Sequence, residues 1–280
     1  MYADKYMKNA FRMGELLHPE HLYERVKDIV EWKNLTVAGG YHHAPVTVEE
    51  VIEYFKKYGE PLKEYICDVG LWLNEAHKAG KNIMFEAQLG ALRDIDFGIY
   101  PYTSSSSTIA AYAPIGAGVP NLKLDKSVGI MKAYSTCVGE GPFTAEYFGE
   151  KAEALRAAGR PRRVGPFDVV ASRYGIRCQG ADEIALTKLD VLSGFEELEI
   201  CTAYELDGKI IHEFPFSDAL DRCKPVFEKV KGWNCDITWC RTFESLPKAA
   251  QDYVKLIEKL CECKITFVSV GAERDEIIER

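Results

Sequence analysis

Two side chains of opposite charge stand two positions apart directly after a short apolar run. They are Lys188 and Asp190, in the segment IALTKLDVLSG at 184–194. A carboxylate offers two acceptors at the spacing of the two adjacent donors on guanine, its ring N–H and its exocyclic amine. Adenine has no such donor pair, so a carboxylate facing it is desolvated and unpaired. The lysine stem can cover the base while its ammonium stays in water. The motif predicts a guanine-reading turn, and a solvated strand-end salt bridge is the alternative.

A cluster of three arginines is the second candidate for ligand binding. Arg160, Arg162 and Arg163 lie within four positions in GRPRRVG. Guanidinium groups match carboxylate and phosphate oxygens in a bidentate geometry. The cluster therefore indicates an anionic ligand, with a solvated basic turn as the alternative.

Two further segments carry hydroxyl or backbone donors. TSSSST at 103–108 suits a phosphate group near a helix N-terminus, or else is a flexible polar loop. VSVGAER at 268–274 ends a strand with backbone amides near Gly271 that can close over a base edge, or else is a plain turn. The six histidines show no metal-like or triad-like spacing, and the nine cysteines form no paired CxxC set. No metal site is predicted within this chain.

Composition and charge narrow the class of protein. The chain has 280 residues, 47% hydrophobic and 28% charged, and a net charge of −8, which argues against general nucleic-acid binding. No apolar run reaches the length of a membrane span, and the first residues show no signal-peptide pattern. We expect no membrane association, reduced cysteines and a cytoplasmic location.

Strand and helix patterns alternate along the chain and predict an α/β fold with a mostly parallel central sheet flanked by helices. TVEEVIEYFKKYG begins with a capping box at Thr47 and Glu50, and residues 15–80 are predicted to be mainly helical. KNIMFEA at 81–87 predicts a buried strand, and KITFVSVG a later one. An Asp207–Gly208 turn between two strand patterns predicts a hairpin. A last long helix is predicted to start at Pro247, with one apolar stripe formed by Ala250, Tyr253, Val254, Ile257 and Leu260. No linker is evident, so residues 1–280 are predicted to form a single domain.

Six segments together resemble the adenylosuccinate synthetase family, which joins aspartate to IMP with GTP as co-substrate. They occur in the family's order and cover nearly the whole chain. The segments are YADKYMKNAFRMGELL, DIDFGIYPYTSSSST, GIMKAYSTCVGEGPF, GRPRRVGPFDVVA, ALTKLDVLSG and VSVGAER. The resemblance implies a phosphate-loop NTPase-like fold, a homodimer, and binding of IMP, L-aspartate and GTP.

The resemblance also implies a role for individual residues. The IMP site would use Lys8, Gln88, Ser104, Val138 and Arg160. The aspartate site would use Arg160 and Arg162, and the GTP site Arg162, Lys188, Leu189, Asp190, Ser269, Val270 and Gly271. Lys8 stands where the family has an arginine that reaches IMP across the dimer interface, and it keeps the charge without the planar fork.

Three departures from the family pattern are visible. EAQLG places Leu89 where the family has its IMP-contacting glutamine, with Gln88 one residue early, which puts that contact in doubt. Only RAAG precedes GRPRR, where the family has a threonine-rich loop for aspartate. The phosphate loop, general base, general acid and Mg²⁺ ligands of the family have no counterpart here, so we expect missing N-terminal strands and no catalytic residue in this chain.

The family reaction implies two steps: IMP loses its N1 proton and its O6 takes the γ-phosphoryl group of GTP, and then the aspartate amine displaces phosphate at C6. Without the phosphate loop and Mg²⁺ we expect this chain alone to be inactive or severely impaired. Four alternatives remain open: an incomplete record of an ordinary synthetase, one subunit of a split enzyme, a non-catalytic relative that binds guanine nucleotide, and an unrelated α/β protein that binds nucleotides.

Overall fold

The computed structural model describes residues 2–159 and 161–280. The chain divides into two compact units, Met1–Met84 with Gly116–Pro120 and Phe85–Ile115 with Asn121–Arg280. We call the first the helical unit and the second the sheet unit. Lys8 belongs to the helical unit, and the other described site residues belong to the sheet unit. The interpretation of 1–280 as a single domain stays a prediction.

The helical unit is built from short helices around a small apolar core. Its helices are α1 (Tyr2–Tyr6), α2 (Pro19–Val37), α3 (Val48–Tyr54) and α4 (Val69–Lys78). The predicted capping box is confirmed, because the Thr47 hydroxyl accepts from Glu50 N at 3.2 Å and the Glu50 carboxylate accepts from Thr47 N at 2.7 Å. Leu22, Val26 and Val30 recur every four positions on α2, so they share one face and fill the core.

The sheet unit contains all the strands found in the described residues. Its helices are α5 (Tyr112–Gly116, whose last residue falls in the helical unit), α6 (Gly149–Ala158), α7 (Val169–Gln179) and α8 (Lys248–Cys261). Its strands are β1 (Val128–Lys132), β2 (Ser135–Cys137), β3 (Arg163–Gly165), β4 (Phe167–Asp168), β5 (Glu183–Thr187), β6 (Glu197–Leu206), β7 (Lys209–Ile211), β8 (Lys224–Lys231), β9 (Lys264–Ser269) and β10 (Ile277–Glu279).

The first sheet has the order β1-β5-β9-β10. β1 and β5 are parallel, β5 and β9 are parallel, and β10 is antiparallel to β9. The central strands contribute Ile184, Leu186 and Ile265 to the core, and all three are fully buried. Helix α8 packs over this core with the predicted stripe of Ala250, Tyr253, Val254 and Ile257 buried.

The second sheet joins β4, β6, β7 and β8. β4 runs parallel to β6, whereas β7 and β8 are antiparallel to it. The β6–β7 connection is the predicted hairpin, with positive φ at Asp207 and Gly208. The α/β prediction is therefore confirmed, but the sheets are mixed, and only the first is mostly parallel. The predicted absence of N-terminal strands stays a prediction.

The strand predicted at KNIMFEA (81–87) is wrong. These residues are extended but join no ladder among the described parts of the chain, and Met84 is 89% exposed. A strand is defined by the neighbour that accepts and donates its backbone hydrogen bonds, and an apolar pattern does not supply one.

None of the described helices combines the length and the apolar character needed to cross a membrane.

Candidate functional site

Two of the predicted ligand-binding segments meet at one edge of the first sheet. Lys188 to Asp190 directly follow β5, and Val270 and Gly271 directly follow Ser269, the last residue of β9. Because β5 and β9 are parallel neighbours, their carboxyl ends lie side by side, where open α/β sheets bind ligands. Leu189 N donates to the Ser269 carbonyl at 3.2 Å, which joins the two turns directly. We call these two segments the strand-end turns.

The turn after β5 presents its charged groups while its middle residue is anchored in the core. Lys188 adopts a positive φ of 64°, and Leu189 is fully buried. The Asp190 Oδ1 atom is buried and has no hydrogen-bond partner in the described structure. Burial raises the pKa of Asp190 above its ordinary value, Lys188 opposes that rise, and Glu276 adds to it. A buried acceptor without a donor is costly, so this atom is suited to a ligand that brings N–H groups.

The turn after β9 is closed by Glu276. Val270 N donates to the Glu276 carbonyl at 2.9 Å, and the Glu276 carboxylate accepts from Glu273 N at 2.8 Å. A Cβ added to Gly271 would lie 2.1 Å from that carboxylate, so a larger residue here would displace the Glu276 side chain. The Ser269 hydroxyl donates to the Gly271 carbonyl at 2.8 Å. The backbone of 269–271 is thereby held in place beside Asp190.

A buried aspartate shapes the loop at 94–108, which we call the aspartate-held loop. Asp94 is fully buried, and its Oδ1 accepts from Asp96 N at 2.9 Å and Phe97 N at 3.0 Å. Its Oδ2 accepts from Thr108 N at 2.5 Å. Burial alone would raise the pKa of Asp94, but these hydrogen bonds outweigh it and hold the pKa below its ordinary value. Asp94 is therefore an ionised anchor that closes the loop.

Ser104 lies within this loop, and its groups are already hydrogen-bonded. Its backbone N donates to the Arg93 carbonyl at 2.8 Å, and its hydroxyl lies 2.7 Å from the Ser106 hydroxyl. Gln88 is exposed. Leu89 is 62% exposed and has a positive φ of 75°, a conformation that is unusual for leucine. The structure places Gln88 and Leu89 just ahead of the aspartate-held loop and tests neither one's role.

The loop at 137–141, which we call the arginine-held loop, is gripped from two sides. Arg163 donates to the carbonyls of Gly139 at 3.2 Å and Gly141 at 2.8 Å. Arg93 donates to the carbonyls of Val138 at 3.0 Å and Glu140 at 3.3 Å. The Val138 side chain is left 63% exposed, which suits a residue that lines a ligand pocket.

The remaining predicted site residues are less informative. Arg162 is exposed, and its carbonyl accepts from Arg156 Nε at 2.9 Å. Arg160 lies outside the described residues. Lys8, in the helical unit, is exposed and has a positive φ of 64°. The roles predicted for these three residues stay predictions.

Three residues hold the site together, and of these the sequence had indicated only Arg163, as a candidate for ligand binding. Arg93 and Arg163 grip the arginine-held loop, and Glu276 closes the turn after β9. Arg163 belongs to the arginine cluster of GRPRRVG, which indicated a positive charge but not the groups that the arginine contacts. The contacts of Arg93 reach across 45 positions to Val138, and no local pattern reports such a distance.

The fold and the site define an α/β protein in which two turns meet at the carboxyl edge of a parallel strand pair. The family model described as adenylosuccinate synthetase matches residues 1–278. A curated adenylosuccinate synthetase from Citrifermentans bemidjiense is 43% identical over 286 residues, and one from Pelobacter propionicus is 42% identical over 286 residues. The chain belongs to the adenylosuccinate synthetase family.

These relatives cover 99% of the chain, and the chain spans 66% of the length of each. A solved structure described as fully ligated adenylosuccinate synthetase from Plasmodium falciparum superimposes with a TM-score of 0.90 at 32% identity. The superposition covers 100% of this chain and 68% of the chain in the solved structure. These comparisons do not confirm the expected absence of a catalytic region or the expected inactivity, and both stay predictions.

Proposed function

We propose that this chain binds GTP by its guanine base and serves the ligation of L-aspartate to IMP, giving adenylosuccinate. Family membership supports the reaction, and the buried, unpartnered Oδ1 of Asp190 carries the guanine part of the proposal. The proposal includes a cytoplasmic location and a homodimer, for which the family resemblance is the support.

In this proposal Asp190 accepts from the ring N–H and the exocyclic amine of guanine. The pairing satisfies an acceptor that is otherwise buried without a donor. The stem of Lys188 covers the base, and the backbone of Ser269 to Gly271 closes over its edge. The contact between Leu189 N and the Ser269 carbonyl sets the spacing between the two strand-end turns.

The IMP and aspartate ends of the proposal rest on the loops. Ser104 binds the phosphate of IMP, Val138 lines its pocket, and Gln88 lies near it. Arg160 and Arg162 bind aspartate, and Arg162 also contacts GTP. Mg²⁺ neutralises the charge of the transferring phosphoryl group in such reactions. In residues 2–159 and 161–280, no three His, Cys, Asp or Glu side chains are placed to hold a metal ion.

The base-reading role is tested by Asp190→Asn with calorimetric titration of GDP, ADP and XDP. We expect the wild-type chain to prefer GDP over ADP by at least about tenfold, and Asp190→Asn to weaken GDP binding by about thirtyfold. Xanthine offers one donor and one acceptor where guanine has two donors, which matches an asparagine amide. XDP binding should therefore improve in the variant, which also shows that the variant is folded.

An unchanged preference for GDP in Asp190→Asn would disprove the base-reading role. The ligation itself is measured with protein purified from the organism that produces it. The measured product is adenylosuccinate formed from GTP, IMP and aspartate. Turnover that is as fast with ATP as with GTP would contradict the proposal.

A further inference from the structure

Two guanidinium groups hold the arginine-held loop, and they take alternate carbonyls. Arg163 holds Gly139 and Gly141, whereas Arg93 holds Val138 and Glu140. Both guanidiniums also reach the Cys137 sulfur, Arg93 at 2.9 Å and Arg163 at 3.9 Å. As braces of the loop, the two arginines do the same work.

The guanidinium groups of Arg163 and Arg93 differ in their ionic partners. Arg163 pairs with the Glu146 carboxylate, with Nε 3.0 Å from both oxygens and Nη2 2.5 Å from Oε2, and this pairing raises the pKa of Arg163. The hydrogen-bond partners of Arg93 within the described residues are the carbonyls of Tyr102, Val138 and Glu140 and the Cys137 sulfur. No carboxylate of the described chain lies within 4.0 Å of the Arg93 guanidinium. Arg93 therefore differs from Arg163 in having no carboxylate partner among the described residues.

The position of this charge suggests its use. Arg93 accepts from Ser104 N at 2.8 Å through its carbonyl and binds the Val138 carbonyl through its side chain. It therefore lies between two residues of the proposed IMP site, on loops from different parts of the chain. Its Nε has no hydrogen bond to any described residue, so one donor stays available to a ligand. A fixed guanidinium with no carboxylate partner and a free donor is suited to a phosphate group.

We propose that Arg93 supplies the positive charge that binds the phosphate group of the nucleoside monophosphate, together with the hydroxyl of Ser104. This inference deepens the proposed function and rests on it. Arg163 holds the same loop, but its guanidinium forms an ion pair with the Glu146 carboxylate. The two arginines therefore separate charge recognition from bracing, and each is the matched control for the other.

The test measures the binding of IMP and of inosine, which lacks the phosphate, to wild type, Arg93→Met, Arg93→Lys and the double variant Arg163→Met/Glu146→Gln. Arg93→Met should weaken IMP binding by about tenfold or more beyond its effect on inosine binding, which reports the loss of bracing alone. Arg93→Lys keeps the charge and should recover a large part of the IMP affinity. The double variant should weaken IMP and inosine by the same factor, because it loosens the loop and removes both charges of the ion pair together.

If inosine binds too weakly for its affinity to be measured, the salt dependence of IMP binding provides a second test. The affinity of wild type for IMP should fall as salt is raised, and Arg93→Met should flatten that dependence while Arg163→Met/Glu146→Gln leaves it unchanged. Equal losses of IMP and inosine binding in Arg93→Met, or an unchanged salt dependence, would show that Arg93 is only a brace. A wild-type chain that binds GDP but not IMP would overturn this inference and leave the guanine site standing. A chain that binds neither ligand would overturn both.

Discussion

The strand-end turns and the two loops of the sheet unit are held in different ways. The turns at 188–190 and 269–271 continue paired parallel strands, and a backbone contact from Leu189 N to the Ser269 carbonyl joins them. The aspartate-held and arginine-held loops depend on side chains, chiefly Asp94, Arg93 and Arg163. A substitution in a strand-end turn should therefore change ligand binding with little effect on stability. A substitution at a loop anchor should change stability as well.

The largest effect is expected from Asp94→Asn. The amide presents a donor at one of the two former oxygen positions, so either Thr108 N or the pair Asp96 N and Phe97 N faces another donor, and all three lose an ionised acceptor. We expect the free energy of unfolding to fall by about 3 kcal/mol, measured by urea denaturation. Asp96→Asn, at an exposed position of the same loop, should change it by less than about 0.5 kcal/mol. Equal effects of the two variants would remove the basis for calling the loop aspartate-held.

The same pair of proteins should show a defined pH dependence. The pKa of Asp94 is lower in the folded state than its ordinary value of 3.8. Its contribution to stability is therefore present above that ordinary value and is lost as the pH falls through the folded-state pKa. The stability difference between wild type and Asp94→Asn should shrink below about pH 4. A difference that is constant between pH 6 and pH 3 would contradict the ionised anchor.

Arg163→Met is expected to have the next largest effect. The side chain of Glu146 is 10% exposed, so removal of its partner leaves a nearly buried carboxylate unpaired. We expect a loss of about 2 kcal/mol in the free energy of unfolding. Adding Glu146→Gln in the double variant should recover part of that loss, because the uncompensated charge is then gone. Arg162→Met, at the exposed neighbouring position, is the control and should be nearly neutral. A double variant less stable than Arg163→Met would argue against the ion pair.

Glu276→Gln should have the smallest effect, on ligand binding alone. Burial raises the pKa of Asp190, and the Glu276 charge adds to that rise. Removing this charge should lower the pKa of Asp190, so GDP binding should persist to lower pH than in wild type. Glu273→Gln alters a carboxylate of the same loop that is not among the groups perturbing Asp190, and it should leave the pH profile of GDP binding unchanged. A loss of folding stability in Glu276→Gln would break the contrast between turns and loops.

The predictable part of the fold follows from short-range patterns. The capping box at Thr47 and Glu50, the hairpin at Asp207–Gly208 and the apolar stripe of α8 were all predicted, because each depends on residues within a few positions. The strand predicted at 81–87 was wrong, since an apolar pattern carries no information about whether a neighbouring strand exists. The antiparallel pairing of β10 with β9 and of β8 with β6 was likewise not predicted, because pairing direction between segments distant in the chain depends on topology.

The candidate site divides along the same line. The amino-acid sequence by itself determined the Lys188–Asp190 motif, the Ser269–Gly271 turn and the likeness to adenylosuccinate synthetases, since residue types and short spacings carry them. Only the tertiary structure decided that the Asp190 Oδ1 is buried without a donor and that Arg163 is neutralised by Glu146 whereas Arg93 is not. The physical reason is that burial and charge compensation are properties of the neighbours in space. Those neighbours include residues such as Arg93 and Val138, which lie 45 positions apart in the chain.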